Sequence, residues 1–143
     1  MNTLLRAVTA VASITAGVLH GDIWANHGYR SAPIREMFVA SAVLAVALGL
    51  LALVPWRLAA VPAAVANAVF LGAFALSRVG EVPTFHGGWS EGGLAPQGAT
   101  ILGVSTTLLL LTAEGLAVAC GLASAVFGGE RRSVPLPAGY ARA

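Results

Sequence analysis

The sequence has no lysine, one cysteine and few charges of either sign. Charged residues make up 10% of its 143 positions, where a soluble domain carries about 25%. Water is therefore not the main solvent for its surface. All eight basic residues are arginine, and they sit between apolar runs. That placement suits orientation in a membrane and not the binding of nucleic acid. The lone Cys120 lies inside an apolar run and excludes a disulfide framework or a CxxC motif within the chain. No nucleotide-binding motif, no HExxH and no catalytic constellation is present, which turns the reading away from an enzyme.

What is present is hydrocarbon: 57% of residues are apolar and the mean hydropathy is +0.82. A spanning helix needs about 20 mostly apolar residues, and four segments approach or exceed that. They are residues 6–24, residues 37–54 ("MFVASAVLAVALGLLALV", without a charge), residues 58–77 with Pro62 near the start, and residues 99–127, charged only at Glu114. The turn "PWR", Pro55 to Arg57, makes the second and third segments an antiparallel hairpin. The expectation is an all-α fold: a four-transmembrane-helix bundle over residues 1–133, running up-down-up-down, with a flexible tail over residues 134–143. The first segment reads as a retained span. It is long for a signal-peptide core, and no clear small-x-small site precedes a polar mature start.

Orientation follows from arginine placement. Arg6, Arg57, Arg131, Arg132 and Arg142 fall on the face that holds the termini, and Arg30, Arg35 and Arg78 on the other. This split puts both termini in the cytoplasm of a multi-pass plasma-membrane protein. Trp24 and Trp89 then fit an outer aromatic belt, and Trp56 an inner one.

The outer face collects His20, Asp22, His27, Glu36, Glu81, His86 and Glu91. The first three belong to "HGDIWANHGYR", which directly follows the first apolar run. Imidazole with carboxylate suits zinc, copper or iron, and paired histidines suit haem. His20 and His27 are two helical turns apart, a rise of about 10 Å. One metal is not chelated by both unless the helix breaks near Gly21 or Asn26-His27-Gly28. The candidate metal set is therefore His20, His86 and Glu114, with Asp22, Arg78, Glu81 and His86 as the rim of a pocket under the third loop. The competing reading is ordinary loop polarity.

Glu114 stands in the middle of "LLLLTAEGLAVACG". A lone acid at that depth costs about 2.5 to 3.5 kcal/mol on the insertion scale. It must be paired, protonated or wetted, so it is expected to face other helices and not lipid. Its partner depends on register. If Ala99 marks the outer surface, Glu114 lies near mid-membrane beside Asn67. If Arg131 marks the inner surface, Glu114 rises to the level of His20. The same segment carries Ala113, Ala117, Gly121 and Ala125, a small-residue stripe that lets helices approach closely. The hydroxyls of Thr9, Ser13, Thr15, Ser105, Thr106 and Thr107 read as local or interhelical hydrogen-bonding groups.

The order of landmarks resembles that of small four-helix membrane proteins of actinobacterial type. The landmarks are His20 at the end of helix one, Phe38 early in helix two, "SRVGEVPTF" after helix three, Trp89, and Glu114 in helix four. The chain departs from the pattern after Trp89, where Ser90 precedes Glu91 and an acid more often follows at once. The resemblance implies membrane topology and draws attention to His20, Arg78 and Glu114. It implies no activity.

Three functions compete. The first is an accessory or structural subunit of a larger membrane complex, whose partners are the lipid bilayer and either other membrane subunits or further copies of itself. The second is a redox protein that binds a metal or haem through His20 and His86 with Glu114. The third is a component of proton-coupled transport that uses Glu114.

Overall fold

The computed structural model describes residues 2–26, 32–56, 58–79 and 100–128, with the side chains of residues 32–34 and 77–79 left aside. Four helices carry the described fold: α1 (Asn2–Asn26), α2 (Ala32–Leu51), α3 (Val61–Val79) and α4 (Thr106–Phe127). Two short strands, β1 (Thr100–Ile101) and β2 (Val104–Ser105), pair antiparallel just before α4. The described residues are all-α apart from this ladder and the turns. Two helices, α1 and α4, are long and apolar enough to cross a membrane, and α3 contains a shorter apolar stretch, Val61–Leu76.

The helix boundaries differ from the apolar runs in three places. α2 begins at Ala32 and not Met37, since Pro33 in its first turn removes only an N–H that has no helical partner anyway. The connection to α3 is longer than "PWR". The chain leaves the helix after Leu51 in hydrogen-bonded turns, such as Val54 N to Leu51 O (3.0 Å) and Ala59 N to Trp56 O (3.1 Å), and α3 starts at Val61. The third difference matters most. Residues 100–105 do not extend α4. Leu102 and Gly103 both have positive φ (52° and 79°), the pairing that a two-residue hairpin turn demands. β-branched Thr100, Ile101 and Val104 flank the turn and suit strands.

Small residues set how closely the helices pack. A Cβ on Gly17 would lie 2.7 Å from Val46 Cγ2 and 2.8 Å from the Ala42 carbonyl, and one on Gly49 would lie 2.8 Å from Ile14 Cγ1 and 3.0 Å from the Ala10 carbonyl. These two contacts place residue 17 beside 42–46 and residues 10–14 beside 49, so α1 and α2 run antiparallel. Gly121 of α4 meets Ala64, Ala60 and Thr9 in the same way. Asn67 and Phe70 of α3 reach Ser13 and His20 of α1 in rising order. Direction therefore alternates along the chain. α1 packs extensively on α2 and α4, and α3 on α4, while α2 and α3 touch little.

The stripe on α4 turns inward at Ala113, Ala117 and Gly121, which are buried, but Ser124 and not Ala125 completes it. Ala125 is half-buried. The 3.6-residue period explains the slip: the inward line advances by three as well as by four residues along a helix.

Arg6 ties the first helix to the end of the second. Its Nε donates to the Ala52 carbonyl (3.0 Å), and its Nη2 donates to the carbonyls of Leu53 and Val54. These carbonyls belong to the turns just past Leu51, where the helical ladder has stopped, and a cation near a helix C-terminus also complements its dipole. Arg6→Ala is expected to lower stability by about 1–3 kcal/mol, the range for a lost charge-assisted hydrogen-bond set. Arg6→Lys should recover only part of this, because an ammonium lacks the planar fork. Thermal unfolding of the three proteins in one detergent checks the order, and equal midpoints would remove Arg6 from the cap.

Candidate functional site

His20 lies on α1, one turn and a half before its end, and Glu114 lies near the middle of α4. Their side chains meet. His20 Nε2 is 3.6 Å from Glu114 Oε1, and both residues are buried. Of the two registers open to the fourth segment, the one that lifts Glu114 toward His20 is the one observed. The hairpin over residues 100–105 is the reason, since it takes the surplus length out of the helix.

The imidazole is oriented on every side. Nδ1 lies 2.9 Å from the Ala16 carbonyl. A carbonyl only accepts, so Nδ1 carries a hydrogen and donates it. This leaves Nε2 to face the carboxyl. Phe38 of α2 lies against the ring at 5.7 Å between centroids, and Phe70 of α3 meets it edge-on at 5.2 Å. The four helices thus converge on one histidine. Leu19, Ile23, Leu110 and Ala113 fill the core beside it.

This geometry fixes how many protons suit the contact. With Nδ1–H committed to Ala16, one further proton satisfies the pair. It sits on Nε2 and faces a carboxylate, or on the carboxyl and faces the Nε2 lone pair. No proton would set lone pair against lone pair, and a second would leave a buried imidazolium with no carboxylate to offset its charge. The 3.6 Å separation is within ion-pair reach and about half an ångström beyond a hydrogen bond, a gap that a small rotation of either side chain closes.

A second polar layer lies deeper. Ser13 donates to the Ala45 carbonyl of α2 (2.9 Å) and accepts from Asn67 Nδ2 of α3 (3.0 Å), while Asn67 Nδ2 also donates to the Ala63 carbonyl (2.8 Å). Asn67 is fully buried, and its Oδ1 has no hydrogen-bond partner among the described residues. The Asn67–Glu114 pairing expected in the other register is thus replaced by Asn67–Ser13. Thr9, in contrast, bonds only back to its own helix at Leu5.

Other singled-out residues stand apart from the pair. Asp22 accepts a hydrogen bond from Asn26 Nδ2 (2.6 Å) at the exposed end of α1. Arg35 of α2 stacks over Trp24 at 5.5 Å, and Glu36 is exposed. His27, Glu81, His86, Trp89 and Glu91 lie outside the described residues, as does the Arg78 side chain. The pocket rim apart from Asp22, and the His86 share of a metal site, lie there too. Among the described residues, no group of three or more His, Cys, Asp or Glu could hold a metal ion.

A cleft of about 300 Å³ opens between α2 and α3, where those helices hold apart. His20 forms part of it, with Phe38, Ser41 and Leu44 of α2 and Val69, Phe70 and Ala73 of α3. The sequence carried no signal for Phe70 or for the cleft, because an apolar residue at helical spacing reads as core whether it packs or lines a gap. Comparison of the chain with protein families, with characterised proteins and with solved structures finds no match.

Proposed function

We propose that this chain is a four-span protein of the plasma membrane, a small component of a larger membrane assembly that holds one proton between His20 and Glu114 in its core. The observation that carries the reading is the 3.6 Å contact between two buried titratable groups. Intramembrane ionisable residues are expensive, and they mark proton and ion pathways by default. The spanning reading is supported by the outward helix faces. Val11 and Val18 of α1, Val43 and Leu50 of α2, Val65 and Val69 of α3, and Leu108 and Leu122 of α4 are all exposed. In water such faces would drive association; in a bilayer they are solvated. The same faces are where a neighbouring subunit or a second copy would pack.

Nitrogen-15 NMR of histidine-labelled protein on a His27→Gln, His86→Gln background isolates His20. Nδ1 is expected to be protonated in the wild-type pair, and Glu114→Gln should change the Nε2 resonance and leave Nδ1 bonded. An Nε2 signal indifferent to Glu114→Gln would overturn the proton-holding role.

Topology is tested separately. On a Cys120→Ala background, Ser133→Cys is expected to react with an impermeant thiol reagent only from the cytoplasmic side, and Ser90→Cys only from outside. Labelling of Ser133→Cys from outside would overturn the orientation. Native electrophoresis of mildly solubilised membranes is expected to place the chain in an assembly larger than itself, and migration as a monomer would overturn the component reading.

A further inference from the structure

We propose that the cleft between α2 and α3 is a binding site for an uncharged, membrane-soluble molecule that carries one hydroxyl or carbonyl on a ring-bearing hydrocarbon body. The proposal rests on the spanning reading only for the route of entry, which is sideways from the lipid. The cleft exists because α1 and α4 grip their neighbours closely through glycine and alanine, while α2 and α3 barely meet. Its volume of about 300 Å³ sits at the lower end of the range for small-molecule pockets, about 300–1,000 Å³. An apolar space of that kind does not hold water stably.

The lining selects the chemistry. Among the described residues, no arginine, aspartate or glutamate borders the cleft, so a charged ligand would be desolvated there without a counter-ion. His20 borders it, but both of its nitrogens are engaged elsewhere, Nδ1 with Ala16 and Nε2 toward Glu114. The ring therefore offers the cleft its carbon edge and face. Among the described residues on the lining, that leaves the Ser41 hydroxyl as the one strong hydrogen-bonding side-chain group available to a ligand. The His20 ring already meets Phe38 in tilted and Phe70 in edge-on geometry, and such clusters accept a further flat ring in offset or edge-to-face contact. One hydrogen-bonding handle beside three rings describes a phenol, a ring-bearing alcohol or a ketone better than a saturated lipid chain.

The test uses the full chain in detergent with para-propylphenol as probe, and reads the methyl signals of Ala40 and Ala73, both on the lining. Saturable shifts at these methyls are expected. Ser41→Ala should raise the apparent Kd about three- to tenfold, the loss of one net hydrogen bond. Ala73→Leu should abolish the shifts by filling the cleft. Ala40→Leu fills it from the other wall and stands in if Ala73→Leu loses helical circular dichroism. Propylbenzene, which lacks the hydroxyl, should bind more weakly by the same factor as Ser41→Ala. Equal binding of propylbenzene would mean that any acyl chain suffices and would overturn the proposal, as would non-saturable shifts or unchanged binding in both filled variants. Detergent measurements read the cleft whether or not the chain crosses a membrane, so this failure is distinct from a failure of the labelling experiment.

Discussion

His20→Leu is expected to destabilise the protein by about 3–5 kcal/mol, and adding Glu114→Leu to it is expected to restore most of that loss. The single variant leaves a carboxyl group, 2% exposed, facing hydrocarbon. Removing one partner of a buried pair costs that much because the other is left uncompensated, whereas replacing both by apolar side chains of similar volume is often neutral or stabilising. Glu114→Gln should stay near the wild type, since an amide N–H can face the Nε2 lone pair. The measurement is a double-mutant cycle on unfolding in detergent. Additive losses in the double variant would mean that the two side chains do not act as a unit. Recovery would carry a further consequence. A pair that leucines can replace without loss is not kept for stability, and its retention then points to the proton it holds.

How much of this was legible in the sequence varies by residue. Helix number, order and alternation followed from apolar run lengths and short connections, because a helix must satisfy its backbone within itself wherever hydrocarbon surrounds it. Glu114 was legible for the same reason, as a charge where none is cheap. Its partner was not, because apolar length alone does not show where a helix starts. The missing signal was local: Gly103 among β-branched neighbours, which marks a turn and shortens α4. Ser13 read as a local or interhelical hydrogen-bonding group, and it joins α1 to both α2 and α3. A hydroxyl's partner is set by packing, which spacing does not reveal. Arg6 read as an orienting charge, and its guanidinium also closes the end of α2. Both roles need the same residue at the same end of the helices, so the sequence could not tell them apart.

Five of the six described helical glycines divide into two groups with opposite expected effects on substitution by alanine. Gly72 and Gly115 would place a new Cβ with no heavy atom within 4 Å. There the usual helix preference decides, and alanine should stabilise by about 0.5–1 kcal/mol. Gly17, Gly49 and Gly121 lie at helix crossings, where a new Cβ would come within 2.7–2.8 Å of a side-chain carbon and within 2.8–3.0 Å of a carbonyl oxygen. A backbone oxygen cannot rotate away, so the helices must separate. Overpacking of this kind costs about 1–3 kcal/mol, against the helix-propensity gain. Gly17→Ala should be the worst, because Val46 Cγ2 at 2.7 Å and the Ala42 carbonyl at 2.8 Å crowd it together. The separation it forces falls one turn below His20, between the helices that bring Phe38 to the ring. Gly17→Ala is thus expected to lower the unfolding midpoint and to disturb the His20 Nε2 resonance, while Gly72→Ala raises the midpoint and leaves that resonance in place. Should Gly17→Ala prove as stable as Gly72→Ala, the close α1–α2 crossing that sets Phe38 against the His20 ring would be wrong.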